Sequence, residues 1–279
     1  MRRTALLPKS PGTTSVGTPC GKMYMSDPFK IRDHVGNFEL VSAMYRLDSA
    51  AARTRFVHQS DIAYGDQPRQ TLDLFFPEAG SGLFPVHIFI HGGYWRANRK
   101  DDYAFLAEAI CGAGAIAAIV EYTLMPQARM GQLVGEVRSA ARWIASHAAE
   151  WNGDITRISA SGHSAGAHLC TYLTARGPFD SAVDLPPIKA MLLVSGIYDL
   201  RPITTCFLQA EIGLTEEEVA AYSPLSATFG SDIPVTVTVG SLETEPFHLM
   251  AQDYAFALTD SGVSVDRTTM PALNHMVYG

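Results

Sequence analysis

Short apolar runs alternate with longer segments of helical period over most of the chain, and this alternation is the strongest constraint on its fold. The runs have the length of buried strands and lie at 86–90, 115–122, 155–160, 188–194, 234–239 and 263–270. Two of the intervening segments place apolar residues at steps of three and four, which is typical of a buried helix face. They are Leu133, Val137, Ala140, Ile144 and Ala148, and then Phe247, Met250, Tyr254 and Leu258. The pattern predicts an α/β fold with a mostly parallel sheet and helices on both faces.

Three segments depart from this alternation. Residues 62–77 predict an antiparallel edge hairpin, because two strand-like runs flank a turn rich in Gly, Asp and Pro. Residues 200–231 contain Pro202 and a capping box that begins at Thr215, and predict an inserted cap over the carboxyl edge of the sheet, where ligands bind. Residues 1–22 are rich in Ser, Thr, Pro and Gly and predict a flexible arm, which leaves 23–279 as a single domain.

Composition excludes several classes of function. The formal charge of −7 and the lack of a basic cluster larger than Arg96, Arg99 and Lys100 argue against nucleic acid as a partner. The four cysteines form no C-x-x-C pair, so neither a zinc knuckle nor a redox motif is expected, and no metal site is predicted. No uncharged run approaches the roughly 18 residues of a membrane span, and the amino terminus does not resemble a signal peptide. We therefore expect a cytoplasmic protein without a membrane partner; a homodimer is left open.

The clearest chemical motif is G-x-S-x-G at residues 162–166, with Ser164 at its centre. It follows a strand-like run and precedes a helix-prone segment, which is the context of a nucleophile elbow. The tight turn strains the serine backbone, and its neighbours must be glycine to avoid the adjoining strand and helix. The sequence therefore predicts Ser164 as a nucleophile at a helix amino terminus.

A second motif, H-G-G-Y-W, follows directly on the buried run 86–90. Its glycines can bring backbone N–H groups close to a ligand, so we expect an oxyanion hole formed by Gly93, Tyr94 and Ala165. His91, just before the glycines, is expected to brace the loop by hydrogen bonding. Tyr94 and Trp95 are either core aromatics or, together with His163, the wall of a substrate pocket.

The general base should follow Ser164 in the chain and come after a late strand. His275 meets both conditions, because it lies in a turn after the last strand-like run. His168, on the helix after the elbow, reads as a packing residue, and His248 falls at the start of a helix. The candidates for the acid that orients the base are Glu243, then its close rival Glu245, then Asp199, whose structural alternative is pairing with Arg201.

These motifs resemble the kynurenine formamidase (arylformamidase) branch of the α/β-hydrolases. The matching segments are 62–65 with 72–74, 91–95, 162–168 and 195–202. The resemblance implies an α/β-hydrolase fold, a triad of Ser164, Glu243 and His275, and hydrolysis of an N-formyl or related aryl amide without a cofactor. Members of that branch typically have aspartate at the acid position, where this chain has glutamate, which is an accepted triad acid elsewhere.

The motifs and the resemblance suggest three functions to test. The first is a serine amidase that acts on a small molecule such as N-formylkynurenine; the second is an esterase or carbamate hydrolase with the same triad. The third is a silent binding protein of the same fold, which a fluorophosphonate probe would fail to label. An amino-acid substrate would need a cation for its carboxylate, and the candidates are Arg96, Arg99, Lys100 and Arg201.

Overall fold

The computed structural model of the chain describes residues 26–78, 80–181, 184–229 and 233–276. The predicted arm over residues 1–22 lies outside these ranges, as do residues 230 and 231 at the end of the predicted cap. No helix within the described ranges is both long enough and apolar enough to cross a bilayer.

The core of the molecule is an eight-stranded sheet with the order β1-β2-β4-β3-β5-β7-β9-β10. Its strands are β1 (His58–Ala63), β2 (Thr71–Phe75), β3 (Phe84–Ile90), β4 (Ile116–Val120), β5 (Gly153–His163), β7 (Ile188–Val194), β9 (Val235–Gly240) and β10 (Val265–Met270). Strand β2 is antiparallel to both β1 and β4, and the remaining neighbours are parallel. The mostly parallel sheet is thus confirmed, as is the hairpin with β1 at its edge.

Eight helices accompany the sheet in the described ranges. They are α1 (Ile31–His34), α2 (Phe38–Arg55), α3 (Ala107–Gly112), α4 (Met130–His147), α5 (Ala165–Thr171), α6 (Gln209–Ile212), α7 (Glu216–Tyr222) and α8 (Glu245–Asp260). The two helix faces predicted from apolar spacing belong to α4 and α8, and their residues are buried. Burying these faces on the sheet is the main source of stability for such helices.

Helix α2 was not predicted from the sequence. Its inward positions include Ser49 and Ala52 beside Val41, so the apolar stripe is thin and its mean hydropathy is low. Tyr45 continues the same face at helical spacing and packs edge-on against Tyr103. The spacing was therefore present in the sequence, but small and polar residues obscured it.

The predicted cap contains α6, α7, two short 3-10 turns and the two-residue strand β8 (Thr228–Phe229), which pairs with β6 (Ala175–Arg176). Thr215 and Glu218 form the predicted capping box, with each side chain accepting from the other's backbone N–H. Glu218 also accepts from the Met130 N–H at 2.9 Å, which ties the cap to the start of α4.

Parallel register aligns the ends of the strands at one edge of the sheet. Ile90 pairs with Val120 on one side and with Gly162 on the other. Further along, Val194 lies between His163 and Thr238. The loops after β3, β4, β5, β7 and β9 consequently emerge side by side, which is where ligands bind in open α/β sheets.

Candidate active site

Ser164 lies in a sharp turn between β5 and α5. Its φ of 55° and ψ of −120° place it in a strained region of backbone conformation. A Cβ at Gly162 would lie 2.3 Å from the Gly166 oxygen, and one at Gly166 would lie 2.0 Å from the Ile90 oxygen. Only glycine therefore fits at either position, which is the reason expected from the motif.

The structure brings Ser164, His275 and Glu243 into one hydrogen-bonded chain. His275 Nε2 lies 2.9 Å from Ser164 Oγ, and its Nδ1 lies 2.6 Å from Glu243 Oε2. All three side chains are shielded from solvent, since Ser164 is 3% exposed and the His275 and Glu243 side chains are 5% and 0% exposed. The imidazole can thus exchange a proton with the hydroxyl while its other nitrogen is held by the carboxylate.

The second carboxylate oxygen of Glu243 is held from the neighbouring strand. Glu243 Oε1 accepts from Ser195 Oγ at 2.5 Å and from the Gly240 N–H at 2.7 Å. Burial alone would raise the pKa of Glu243, but the charge of His275 and these hydrogen bonds outweigh burial and lower the pKa to about 2. Glu243 is therefore ionised, as a partner for an imidazolium must be.

The other candidates for base and acid have different surroundings. Glu245 is exposed at the first position of α8, and Asp199 pairs with Arg201 at 2.7 Å, as its structural alternative predicted. His168 is fully buried and accepts from Trp95 Nε1 at 3.2 Å, while His248 is half-buried on α8. None of these four lines the cavity above Ser164.

The loop after β3 runs beside Ser164. A Cβ at Gly92 would lie 3.2 Å from Ser164 Cβ, and one at Gly93, where φ is 116°, would lie 2.2 Å from the Ala97 oxygen. Across the described ranges no hydrogen bond uses the N–H of Gly93, Tyr94 or Ala165. These donors are thus available to an oxyanion.

A carboxylate that sequence reasoning missed holds this loop in place. Glu121, directly after β4, accepts from His91 Nε2 at 2.8 Å, from Arg69 at 2.7 Å and from the N–H groups of Tyr122 and Lys100. Burial would raise the pKa of Glu121, but the charge and hydrogen bond of His91 and the charge of Arg69 lower it overall. His91 thus braces the loop, as expected. The only sequence signal for its partner, Glu121, is a charged residue directly after a buried strand.

A cavity of about 480 Å³ opens above Ser164 and His275. Tyr94 and His163 line it, but Trp95 does not: the indole is fully buried, and its N–H bonds to His168 instead. The expectation that Trp95 walls the pocket is therefore corrected. A φ of 58° at Trp95 accompanies the turn of the loop, after which the side chain packs in the core.

His163 has its Nε2 2.9 Å from the His275 carbonyl oxygen. Burial, followed by the charge of His275, lowers the pKa of His163 to about 3. His163 is therefore a neutral donor that fixes the backbone of the base.

The roof of the cavity comes mostly from a part of the chain without predicted structure. Residues 30–46, in α1 and α2, supply eight of the lining residues, whereas the cap supplies Phe207 and Glu211. Tyr45 donates to the Met276 oxygen and Tyr94 to the Phe29 oxygen, each at 2.5 Å, so this part of the chain is tied to the loop of His275 and to the loop after β3. The cap's contribution is smaller than expected, because α7 packs towards α4.

Of the four cations considered for a substrate carboxylate, only Arg96 lines the cavity, where it pairs with Glu211 at 2.8 Å. Arg99 pairs with Asp101, and Arg201 pairs with Asp199. The Lys100 side chain is 4% exposed between Asp61 and Asp73. In the part of the chain that the structure describes, no group of three or more His, Cys, Asp or Glu side chains is arranged to hold a metal.

Comparison with known proteins gives relatives that are similar over most of this chain. The BD-FAE family model matches residues 72–232. The kynurenine formamidase of Danio rerio is 32% identical over 238 residues, which cover 82% of this chain and 79% of that protein. The kynurenine formamidase of Drosophila melanogaster is 25% identical over 77% of this chain and 73% of its own length.

Esterases are also among the similar proteins. A probable isoprenylcysteine alpha-carbonyl methylesterase of Arabidopsis thaliana, ICMEL1, is 38% identical over 178 residues, or 58% of this chain and 37% of that protein. A solved putative thioesterase from Silicibacter sp. superposes with a TM-score of 0.78 at 24% identity, over 91% of this chain and 92% of its own. Esterase B from Lactobacillus rhamnosis gives 0.66 at 19% identity, over 85% and 84%. These two structures share the fold.

Proposed function

Because the chain belongs to the BD-FAE family of α/β-hydrolases and is a homologue of kynurenine formamidases, we propose that it is a serine amidase that cleaves an N-formyl or related aryl amide. N-formylkynurenine is the substrate proposed for testing, since relatives at 25–32% identity over most of the chain are kynurenine formamidases. The observation that carries the proposal is the Ser164–His275–Glu243 chain of hydrogen bonds beneath a cavity lined with backbone donors.

In the proposed mechanism Ser164 Oγ attacks the formyl carbon while His275 Nε2 takes its proton. The carbonyl oxygen becomes an oxyanion that accepts hydrogen bonds from the N–H groups of Gly93, Tyr94 and Ala165. Glu243 stabilises the imidazolium and keeps Nδ1 protonated.

His275 then gives its proton to the departing aryl nitrogen, so that the C–N bond breaks and the arylamine leaves. A formyl ester remains on Ser164. Water attacks that ester with His275 again as base, and formate is released.

The first experiment measures formate release from N-formylkynurenine by purified protein and by the Ser164→Ala variant. We expect kcat to fall by about 10⁶-fold in the variant, because the attacking oxygen is gone. Ser139→Ala on α4, outside the cavity, is the matched control and should retain wild-type kcat. Formate release by a folded Ser164→Ala protein at the wild-type rate would refute the mechanism.

An esterase or carbamate hydrolase with the same triad is the alternative, favoured by the likeness to ICMEL1 and to solved esterases. The discriminating quantity is the ratio of kcat/KM for a formanilide and for the matched phenyl formate, each divided by its uncatalysed hydrolysis rate. An amidase gives a corrected ratio well above one, and an esterase gives one well below it. Carbamates belong in the same panel.

A further inference from the structure

Two oppositely charged residues, the exposed Arg46 and the half-buried Asp102, line the cavity from elements that pack against each other. Arg46 is on α2, and Asp102 is on the 3-10 turn Lys100–Leu106 that packs against α2. Both line the cavity that contains Ser164 and His275. Neither residue was singled out by the sequence motifs.

These two residues differ from the other charged groups around the cavity. Lys30 pairs with Asp33 at 3.0 Å, Arg32 with Glu39 at 2.9 Å, and Arg96 with Glu211 at 2.8 Å. Over the described ranges, by contrast, no carboxylate lies within 4 Å of the Arg46 guanidinium, and no cationic side chain lies within 4 Å of Asp102.

No salt bridge joins Arg46 to Asp102, but the charge of Arg46 still acts on the Asp102 carboxylate. Burial raises the pKa of Asp102, and the positive charge of Arg46 partly opposes this rise. A carboxylate that is half-buried without a salt bridge is incompletely compensated for lost hydration, so a cationic ligand group beside it would be stabilised.

An α-amino acid carries a carboxylate and an ammonium on one carbon, which is complementary to two opposite charges that stand apart. A guanidinium can bind a carboxylate through two parallel hydrogen bonds, and a carboxylate can accept from an ammonium. An ester or anilide without this head group would leave both residues without a partner.

We propose that Arg46 and Asp102 form a subsite for the α-amino-acid head group of the substrate, with Arg46 binding its carboxylate and Asp102 its ammonium. This subsite rests on the proposed amidase function, because it defines which aryl formamides the Ser164 centre prefers. Arg96, one of the four cations considered from the sequence, is already paired with Glu211 and stands outside the subsite.

The experiment compares two formamides that differ only in the head group. N-formylkynurenine carries the amino acid, whereas 2-formamidoacetophenone has the same formanilide and ketone without it. For Arg46→Gln and for Asp102→Asn we expect kcat/KM on N-formylkynurenine to fall by about 10- to 100-fold, the usual effect of losing a charge-assisted hydrogen bond. On 2-formamidoacetophenone both variants should stay within about twofold of wild type.

Arg32→Gln is the matched control, because Arg32 lines the same cavity but is paired with Glu39. It should leave the preference between the two formamides unchanged. If Arg46→Gln lowers both substrates equally, or neither, the subsite is refuted while the amidase function stands.

A binding measurement separates this inference from the catalytic proposal. In a Ser164→Ala background, calorimetry should give weaker binding of N-formylkynurenine when Arg46→Gln is added. If wild-type protein hydrolyses neither formamide, the amidase function fails, and the same titration still decides the subsite. Equal affinities with and without Arg46→Gln would refute it.

Discussion

Glu243 must meet two requirements to act as the triad acid. It must stay ionised although its side chain is buried, and it must hold the ring of His275 with Nδ1 towards it. The hydrogen bonds from Ser195 and Gly240 meet the first requirement, and the 2.6 Å contact with His275 meets the second. Glu245, two positions later, is exposed at the start of α8, whereas Glu243 contacts His275.

Replacement of this carboxylate tests the assignment. Glu243→Gln should lower kcat by about 10³- to 10⁴-fold, because the amide can hold the wrong imidazole tautomer and cannot offset the imidazolium charge. The measurement is kcat on formanilide, with circular dichroism to verify folding. Glu245→Gln, exposed at the start of α8, should retain wild-type kcat, and the opposite order would move the acid role to Glu245.

At the scale of the elements, the contact between α5 and β3 leaves no room for a side chain larger than that of glycine. Gly166 brings the first turn of α5 against the backbone of Ile90, just before the loop that carries the oxyanion donors. The elbow and the oxyanion loop are thus positioned by one backbone contact. A side chain there would push them apart.

The Gly166→Ala variant measures this constraint. Its Cβ would meet the Ile90 oxygen at 2.0 Å, so we expect the free energy of unfolding to fall by about 3 kcal/mol, the upper end of the usual cost of overpacking a core. Gly135→Ala on α4 is the matched control, because its Cβ would have no neighbour within 4 Å. It should raise the free energy of unfolding by about 1 kcal/mol through helix propensity. Equal urea midpoints for the two variants would contradict this packing account.

In the described ranges, three histidines have a pKa that burial keeps low, so they are neutral at neutral pH. Burial lowers the pKa of His87 to about 4, that of His168 to about 4 and that of His163 to about 3. His87 lies between Ser159 and Ser161 within the sheet, so its neutrality serves the fold and not the site. At these three histidines the folded chain therefore binds fewer protons than the unfolded chain as the pH falls.

This difference predicts acid sensitivity. Each folded-state pKa is below the ordinary value of 6.5, so the stability contribution is complete above pH 6.5 and is lost as the pH falls towards 4. The loss approaches about 1.4 kcal/mol per pH unit for each histidine. Urea unfolding at pH 7, 6 and 5 measures this loss of unfolding free energy. In His87→Gln, the slope of the unfolding free energy against pH should correspond to about one bound proton fewer. An unchanged slope in that variant would refute the role of His87.

The accuracy of sequence reasoning depended on how local each feature is. Features set by residues close together in the chain could be predicted, because steric limits and periodicity act over a few positions. These features are the elbow, the oxyanion glycines and the buried helix faces. Trp95 was misplaced because its burial and its hydrogen bond to His168 depend on how α5 packs beside the loop, which the local motif does not show. The Arg46–Asp102 pair and the Glu121 brace join distant segments, and no motif connects them.

The sequence by itself determined the alternation of strands and helices in the parallel part of the sheet, the strained serine turn and the set of residues from which a base and an acid could come. Only the tertiary structure decided that Glu243 is the residue that meets His275, that α2 roofs the cavity, and that Arg46 and Asp102 line the same cavity. The physical reason is that backbone sterics and periodicity are short-range, whereas the sheet register brings together side chains from segments far apart in the chain.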